Sequence, residues 1–201
     1  MSKNRLEAFS DGVIAILITI MVLEFKVPHE SDLAALEPLA PVFLVYVLSF
    51  IYLGIYWNNH HHMLHACDHI TGAALWPNLH LLFWLSLIPF ATAWMGENHF
   101  APVPTAVYGA VLLMAGVAWK WLQHEIIKYD GPQSKLRAAV AADFKGNLSL
   151  VMYIIAIPLA FVHQAFAEAI YVAVALTWLV PDRRIERSFT APAPGDDRPS
   201  H

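Results

Sequence analysis

Charged residues and cysteines are both scarce in this chain of 201 residues. Charged side chains occupy 14% of its positions, whereas soluble domains carry about 25%. Apolar residues make up 58%, so the composition excludes an ordinary soluble domain and indicates a membrane protein. The single cysteine, Cys67, excludes an internal disulfide, and the lack of cysteine pairs counts against a structural zinc site.

Several sequence motifs that mark known chemistry are also missing. The chain holds no TVGYG potassium filter, no phosphate-binding glycine loop, no GxSxG, no HExxH and no arginine ladder of a voltage sensor. Without a catalytic constellation, we expect neither enzyme activity nor a bound cofactor. We expect no nucleic-acid partner either.

Long apolar runs are what the chain has in abundance. A spanning helix needs about 20 mostly apolar residues. The runs lack the alternation of barrel strands, and only helices or closed barrels cross a bilayer, so the predicted class is all-α. The last two runs are short, and His163 and Gln164 separate them as in a tight helical hairpin. The six predicted spans are 9–26, 40–60, 72–95, 102–122, 147–163 and 165–181.

The basic residues predict how these spans are oriented. With six spans and a cytoplasmic N-terminus, every lysine and arginine except Lys26 falls on the cytoplasmic side. This places both termini in the cytoplasm, and the first span reads as uncleaved because no signal-cleavage site follows it. We therefore predict a transmembrane domain over 1–185 and a disordered, proline-rich cytoplasmic tail over 186–201.

Two loops have helix-forming composition. SDLAALEPL, in the loop after the first span, predicts a short interfacial helix capped by Ser31. SKLRAAVAADFKG, in the long loop between the fourth and fifth spans, predicts another helix capped by Ser134.

One face of the first span carries a regular stripe. Its members follow i, i+3, i+4, i+7 spacing and contain one hydroxyl among apolar side chains. Such a stripe either packs against neighbouring helices, with the hydroxyl bonded to the carbonyl four residues back, or forms a hydrophobic pore wall with one ring of oxygens. The stripe consists of Ile16, Thr19, Ile20 and Leu23.

The first span begins with an unusual number of polar side chains. Charge is tolerated at the membrane interface but is usually partnered. Helix capping alone does not require all of these groups, so we predict a hydrogen-bonded network with polar residues of other spans. The available partners are Asn78, His80 and the histidines that end the second span. The polar opening itself comprises Arg5, Ser10 and Asp11, with Phe9 beside them.

The histidines that follow the second span raise the question of a metal. His61, His65 and His69 have i, i+4, i+8 spacing and share a face if the helix continues, which is plausible spacing for zinc ligands. The alternatives are an interfacial polar helix end with no metal, or a histidine-dependent metal or proton-coupled transporter. A histidine-box enzyme would need further ligands that the sequence lacks.

The opening motif Arg5-x-x-x-Phe9-Ser10-Asp11 resembles the signature of the transmembrane protein 175 family of potassium channels. The similarity extends to LEAFSDGVIAILITIMVLE, to IYWNNHH at the end of the second span and to LWPNLHLLFWLSLIPF in the third. It covers about residues 5–181 and includes a single repeat of six spans.

This resemblance implies a homotetramer in a bacterial plasma membrane that conducts potassium passively, without a TVGYG filter. The first span of each subunit would line the central pore, with Ile16 as the constriction, Thr19 as the selectivity layer, and Ile20 and Leu23 extending the apolar wall. Potassium would be the permeating ion and the lipid bilayer the surroundings. The residues implied to brace the pore helix are Arg5, Phe9, Ser10, Asp11, His61 and Asn78.

Overall fold

The computed structural model describes residues 2–67, 70–130 and 143–179, and every regular element in these ranges is helical. The prediction of an all-α fold is therefore confirmed. The predicted tail 186–201, the cap Ser134 and the candidate ligand His69 lie outside the described residues.

The first span is an α-helix that tightens at its far end. Helix α1 runs over Lys3–Ile20 and continues as a 3₁₀ turn over Met21–Glu24. Its inward face is a row of small and apolar side chains with nearly helical spacing, and this row packs against the other helices. The buried residues of this row are Leu6, Ser10, Ile14, Leu17 and Met21.

The second span begins with a 3₁₀ helix over Leu33–Leu39, which leads directly into α2 over Ala40–His65. The interfacial helix predicted in this loop is present, but its cap is Asp32, not Ser31. The Asp32 carboxylate accepts a hydrogen bond from the backbone N–H of Ala35 at 3.0 Å. Ala35 is the third residue after the cap, and its N–H is one that a capping side chain usually reaches. The 3₁₀ helix therefore starts one residue later than predicted.

The third span is broken in its middle. Helix α3 runs over Leu75–Ser86 and α4 over Ile88–Glu97, with Leu87 between them. Pro89 stands in the first turn of α4, where it has no N–H to donate and its ring would clash with a continuous helix. The sequence analysis treated 72–95 as one uninterrupted span, and the break is the consequence of this proline.

The remaining spans are α5 over Pro102–Asp130, α6 over Phe144–Val162 and α7 over Gln164–Leu179. Helix α5 extends beyond the predicted end at 122, while α6 starts where the Asp143 carboxylate accepts from Gly146 N at 2.9 Å. His163 alone separates α6 from α7. Within the described residues, five helical segments are long and apolar enough to cross a membrane, and α7 is a shorter apolar helix of 16 residues.

Buried polar groups join the helices inside the bundle. Ser49 on α2 hydrogen-bonds Thr92 on α4 at 2.6 Å and Tyr108 on α5 at 2.9 Å. The hydroxyl of Tyr52 donates to the carbonyl of Tyr171 at 2.6 Å and so ties α2 to α7. Hydrogen bonds between spans hold helices together where lipid provides little hydrophobic drive. The bundle therefore forms a firm scaffold against which α1 packs.

Candidate functional site

The stripe of α1 lies on the outside of the single chain. Ile16 is 59% exposed and Leu23 77%, whereas Ile14 and Leu17 on the opposite face are 0% and 6% exposed. Thr19 and Ile20 are exposed as well. The stripe therefore does not pack against other helices of its own chain, which was one of the two interpretations that the sequence left open.

The backbone keeps the members of the stripe in line. Residues three apart eclipse one another in a 3₁₀ helix, so the 3₁₀ turn after Ile20 holds Leu23 on the same side as Ile20. The Thr19 hydroxyl is shared between the carbonyls of Ile16 at 2.9 Å and Ala15 at 3.1 Å. The bond to the carbonyl four residues back is the contact foreseen for a hydroxyl on a helix, and it is present although the stripe does not pack against its own chain. Because the hydroxyl donates to these carbonyls, its oxygen keeps its lone pairs for a further bond or for contact with a cation.

A buried polar chain joins the first three spans near the opposite end of α1. Asn78 Nδ2 on α3 donates to Ser10 Oγ at 2.9 Å, and His60 Nε2 on α2 lies 2.8 Å from Asn78 Oδ1. The hydroxyl of Ser10 also lies 2.9 Å from the carbonyl of Leu6. All three side chains are fully buried. Because Asn78 Oδ1 can only accept, the bond assigns the Nε2–H tautomer to a neutral His60.

A second group of polar side chains lies about one helical turn closer to the N-terminus of α1. Glu7 Oε1 on α1 is 3.0 Å from His61 Nδ1 and 3.8 Å from His65 Nε2 on α2. The rings of His61 and His65 are 4.3 Å apart between centroids. We call these three residues the Glu–His cluster. It places two of the predicted metal candidates together and adds a carboxylate from α1.

The other residues of the opening motif stay outside these contacts. Arg5 and Phe9 are exposed, and within the described residues the Arg5 guanidinium makes no hydrogen bond or ion pair. Asp11 Oδ1 is buried without a hydrogen-bond partner in the described part of the chain. The structure thus brings Ser10 and Asn78 together. Among the described residues it leaves the Arg5 guanidinium and Asp11 Oδ1 without a hydrogen-bond partner.

The prediction from sequence counted the histidines that end the second span among the partners of the network, but it did not single out His60 or Glu7. It selected His61 as the partner of the motif, but His61 contacts Glu7, and His60 makes the bond to Asn78. The helical phase of α2 contained the signal, because Leu53, His60 and Leu64 have i, i+7, i+11 spacing and face the core. Glu7 had no distinguishing spacing, and only the approach of α1 to α2 reveals it.

Two contacts relate the ends of the helices. Lys3 donates to the carbonyl of Cys67 at 2.9 Å, so the start of α1 lies beside the end of α2. At the other end, Lys26 pairs with Glu97 at 2.7 Å, which joins the segment after α1 to the end of α4. The hydrogen bond to Glu97 and its negative charge raise the pKa of Lys26. These contacts match the predicted alternation of span directions.

Comparisons with known proteins point to one family of channels. A family model described as the endosomal/lysosomal potassium channel TMEM175 matches residues 5–89. A protein named potassium channel from Chryseobacterium sp. (strain P1-3) is 53% identical over 189 residues, covering 94% of this chain and 98% of that protein. Another of that name from Streptomyces collinus is 32% identical over 186 residues, 87% of this chain and 90% of that protein.

The fold is also similar to a solved structure. The crystal structure of a lysosomal potassium-selective channel TMEM175 homolog from Chamaesiphon minutus has a TM-score of 0.77 and 28% sequence identity. The match covers 92% of this chain and 97% of that one. The similarity in sequence and in fold therefore extends over more than nine-tenths of the chain.

Proposed function

The chain belongs to the TMEM175 family of channels, and we propose on this basis that it conducts potassium passively through a pore lined by α1. The observation that carries the proposal is the exposed stripe. A regular row of apolar side chains with one hydroxyl faces away from the chain's own core, where it can line a pore between subunits.

The assembly that suits this stripe is a homotetramer. Four copies of α1 around one axis would bring four Ile16, four Thr19, four Ile20 and four Leu23 side chains together in successive rings. Cyclic symmetry places the same surface of each subunit at the axis. Assembly would remove the exposed stripe from lipid and enclose a narrow, largely apolar conduit, and the single repeat requires separate chains to supply the four walls.

Selectivity in this pore would arise at the constriction. No carboxylate lies on the stripe, so a cation receives no strong compensation for the water it sheds. Potassium loses water more easily than sodium, and a ring of Ile16 side chains therefore favours potassium. The Thr19 hydroxyls stand one turn beyond the constriction and would offer oxygens to the partly dehydrated ion. This mechanism needs no TVGYG filter.

The polar chain would hold α1 at its angle to the axis. Ser10, Asn78 and His60 join α1, α3 and α2 through buried hydrogen bonds, which are satisfied only in one relative placement of the helices. In the described part of the chain the Arg5 guanidinium makes no hydrogen bond or ion pair, and Asp11 Oδ1 has no hydrogen-bond partner. We propose that they complete their bonds at the contacts between subunits, with Phe9 packed beside them.

The proposed setting is a bacterial plasma membrane with both termini in the cytoplasm. The distribution of lysine and arginine supports this orientation, since all but Lys26 would lie inside. The Glu–His cluster and the polar chain would then be at the cytoplasmic end of the pore, and the Lys26–Glu97 pair at the outer end.

Ion flux from liposomes tests the proposed function. Purified protein is reconstituted under an outward potassium gradient, and the flux is compared with that under an equal sodium gradient. We expect potassium flux that needs no coupling ion, and much less sodium flux. Flux that depends on a proton or metal gradient would instead favour the histidine-dependent transporter, and no movement of either cation would reject a channel.

Replacing Thr19 by alanine is expected to weaken selectivity more than conduction. Each lost oxygen contact is worth about 1 kcal/mol, so the potassium-to-sodium permeability ratio should fall about three- to tenfold. Reversal potentials in planar bilayers measure this ratio. Thr19→Ser, which keeps the hydroxyl, is the matched control and should stay near the wild-type ratio. An unchanged ratio in Thr19→Ala would show that the hydroxyl layer does not select.

A further inference from the structure

The Glu–His cluster holds more ligand atoms than its hydrogen bond needs. His61 and Glu7 satisfy one another at 3.0 Å, yet His65 also brings its Nε2 to within 3.8 Å of the same carboxylate oxygen. One ligand atom from each of the three residues lies within 4.8 Å of the others. No other set of three such residues in the described parts of the chain comes as close together.

The geometry fits a small tetrahedral cation. Zinc lies about 2.0–2.2 Å from histidine nitrogens and carboxylate oxygens, which places two ligand atoms of a tetrahedron roughly 3.3–3.6 Å apart. The distances of 3.0 and 3.8 Å in the cluster bracket this value. His61 and His65 are one helical turn apart on α2, so their separation is fixed by the helix itself.

The ligand set is also chemically suitable. Two imidazoles and one carboxylate suit zinc and similar first-row divalent ions. Magnesium and calcium prefer ligand sets made of oxygen atoms, so this set does not suit them. The cluster is reachable, because the His65 side chain is 60% exposed and the His61 side chain 40%. Three protein ligands leave the fourth position of the tetrahedron for water.

We propose that Glu7, His61 and His65 form a binding site for a zinc-like divalent cation. The bound ion would cross-link the start of α1 to the end of α2, adding metal–ligand bonds to the hydrogen bonds that Lys3 and Glu7 now make there. Because α1 carries the stripe, this cross-link restrains the pore-lining helix from outside the pore. Its expected consequence is lower potassium flux, a consequence that rests on the proposed function, whereas the binding itself does not.

Zinc titration of the purified full-length protein tests the binding. The protein is prepared with an affinity tag free of histidine, stripped with a chelator and titrated with zinc chloride in a calorimeter. Wild type should bind one ion per chain. The affinity should fall at least about 100-fold in the double variant His61→Ala/His65→Ala, since loss of supporting groups alone costs about 10- to 100-fold. Glu7→Gln should lose roughly tenfold or more.

The matched control removes two histidines elsewhere. His29 and His124 are exposed, and neither belongs to the cluster, so His29→Ala/His124→Ala should bind zinc like wild type. If His61→Ala/His65→Ala does not fold, His65→Ala replaces it. Among the described residues the His65 side chain makes no hydrogen bond, and its distance to the Glu7 carboxylate is 3.8 Å. Binding that is equal in the cluster and control variants, or no saturable binding by wild type, overturns the site.

Potassium flux into the same liposomes gives the second readout. Each protein's flux with zinc is compared with its own flux without zinc, and the zinc is added to the side that carries the cluster. Flux should fall several-fold in wild type and in the control variant. It should change little in the cluster variants. If zinc binding is lost in the cluster variants but wild-type liposomes show no potassium flux, the metal site is upheld and the channel is rejected. Flux insensitive to zinc despite such binding would reject the restraint on α1.

Discussion

Replacing Ile16 by asparagine is expected to raise potassium conduction roughly tenfold or more. The proposed constriction is a ring of isoleucines that excludes water, and an amide at each position would hydrate it. A decrease of only about 1.4 kcal/mol in the barrier gives a factor of ten. Single-channel conductance in planar bilayers, or the initial rate of flux from liposomes, measures the change. Selectivity for potassium should decrease in parallel because ions would then cross with more of their water.

Ile154→Asn is the control for this variant. Ile154 on α6 is 58% exposed, almost the same as Ile16 at 59%, but it belongs to a helix that contributes nothing to the stripe. Its substitution carries the same change in polarity at a surface that would face lipid. Conduction should therefore stay near the wild-type value. Equal effects at the two positions would indicate general loosening of the bundle, and no effect at Ile16 would mean that the constriction lies elsewhere.

Replacing Asn78 by alanine is expected to lower the free energy of unfolding by about 2–4 kcal/mol, because each buried polar group that loses its partner costs about 1–3 kcal/mol. His60 Nε2 would lose its acceptor, and Ser10 would keep only its bond to the carbonyl of Leu6. Denaturant titration in detergent measures the loss. Potassium flux per reconstituted chain should decrease as well, since α1 would no longer be held in one placement.

Two further variants separate the cost of leaving buried polar groups without hydrogen bonds from the cost of losing side-chain packing. Among the described residues the Asn59 side chain bonds only the carbonyl of Ile55 in its own helix, so Asn59→Ala should cost much less than Asn78→Ala. The triple variant Ser10→Ala/His60→Leu/Asn78→Leu removes all the polar partners together, and it should recover much of the stability because no unsatisfied group remains. A triple variant less stable than Asn78→Ala would contradict this account of the polar chain.

The spans were predictable because membrane insertion depends on composition over long windows. Apolar runs of about 20 residues identify helices whatever their packing, and the described helices fall where those runs are. The four residues of the stripe were predictable for a similar reason: helical periodicity assigns them to one face without any knowledge of the neighbours. What periodicity alone left open was whether that face packs inward, and the exposure of Ile16 and Leu23 resolves this within the chain.

The details that the sequence analysis missed depend on local stereochemistry and on helix phase. The break at Leu87 follows from the missing N–H of Pro89, which hydropathy does not register. The choice between His60 and His61 is a rotation of about 100° on α2, and only one of the two faces the core. Glu7 meets His61 because two helices approach one another, an arrangement that no single segment of sequence contains.

Thiol modification tests whether the stripe of α1 lines the ion path. Single cysteines at Thr19 and Leu23, and at Ile154 as the lipid-facing control, would be treated with a charged, water-soluble thiol reagent during potassium flux. Wild type supplies the blank, because its one cysteine, Cys67, is buried. If α1 lines the path, we expect flux to be blocked for Thr19→Cys and Leu23→Cys and unchanged for Ile154→Cys. Full flux after reagent treatment at both stripe positions, with the protein conducting, would contradict that expectation.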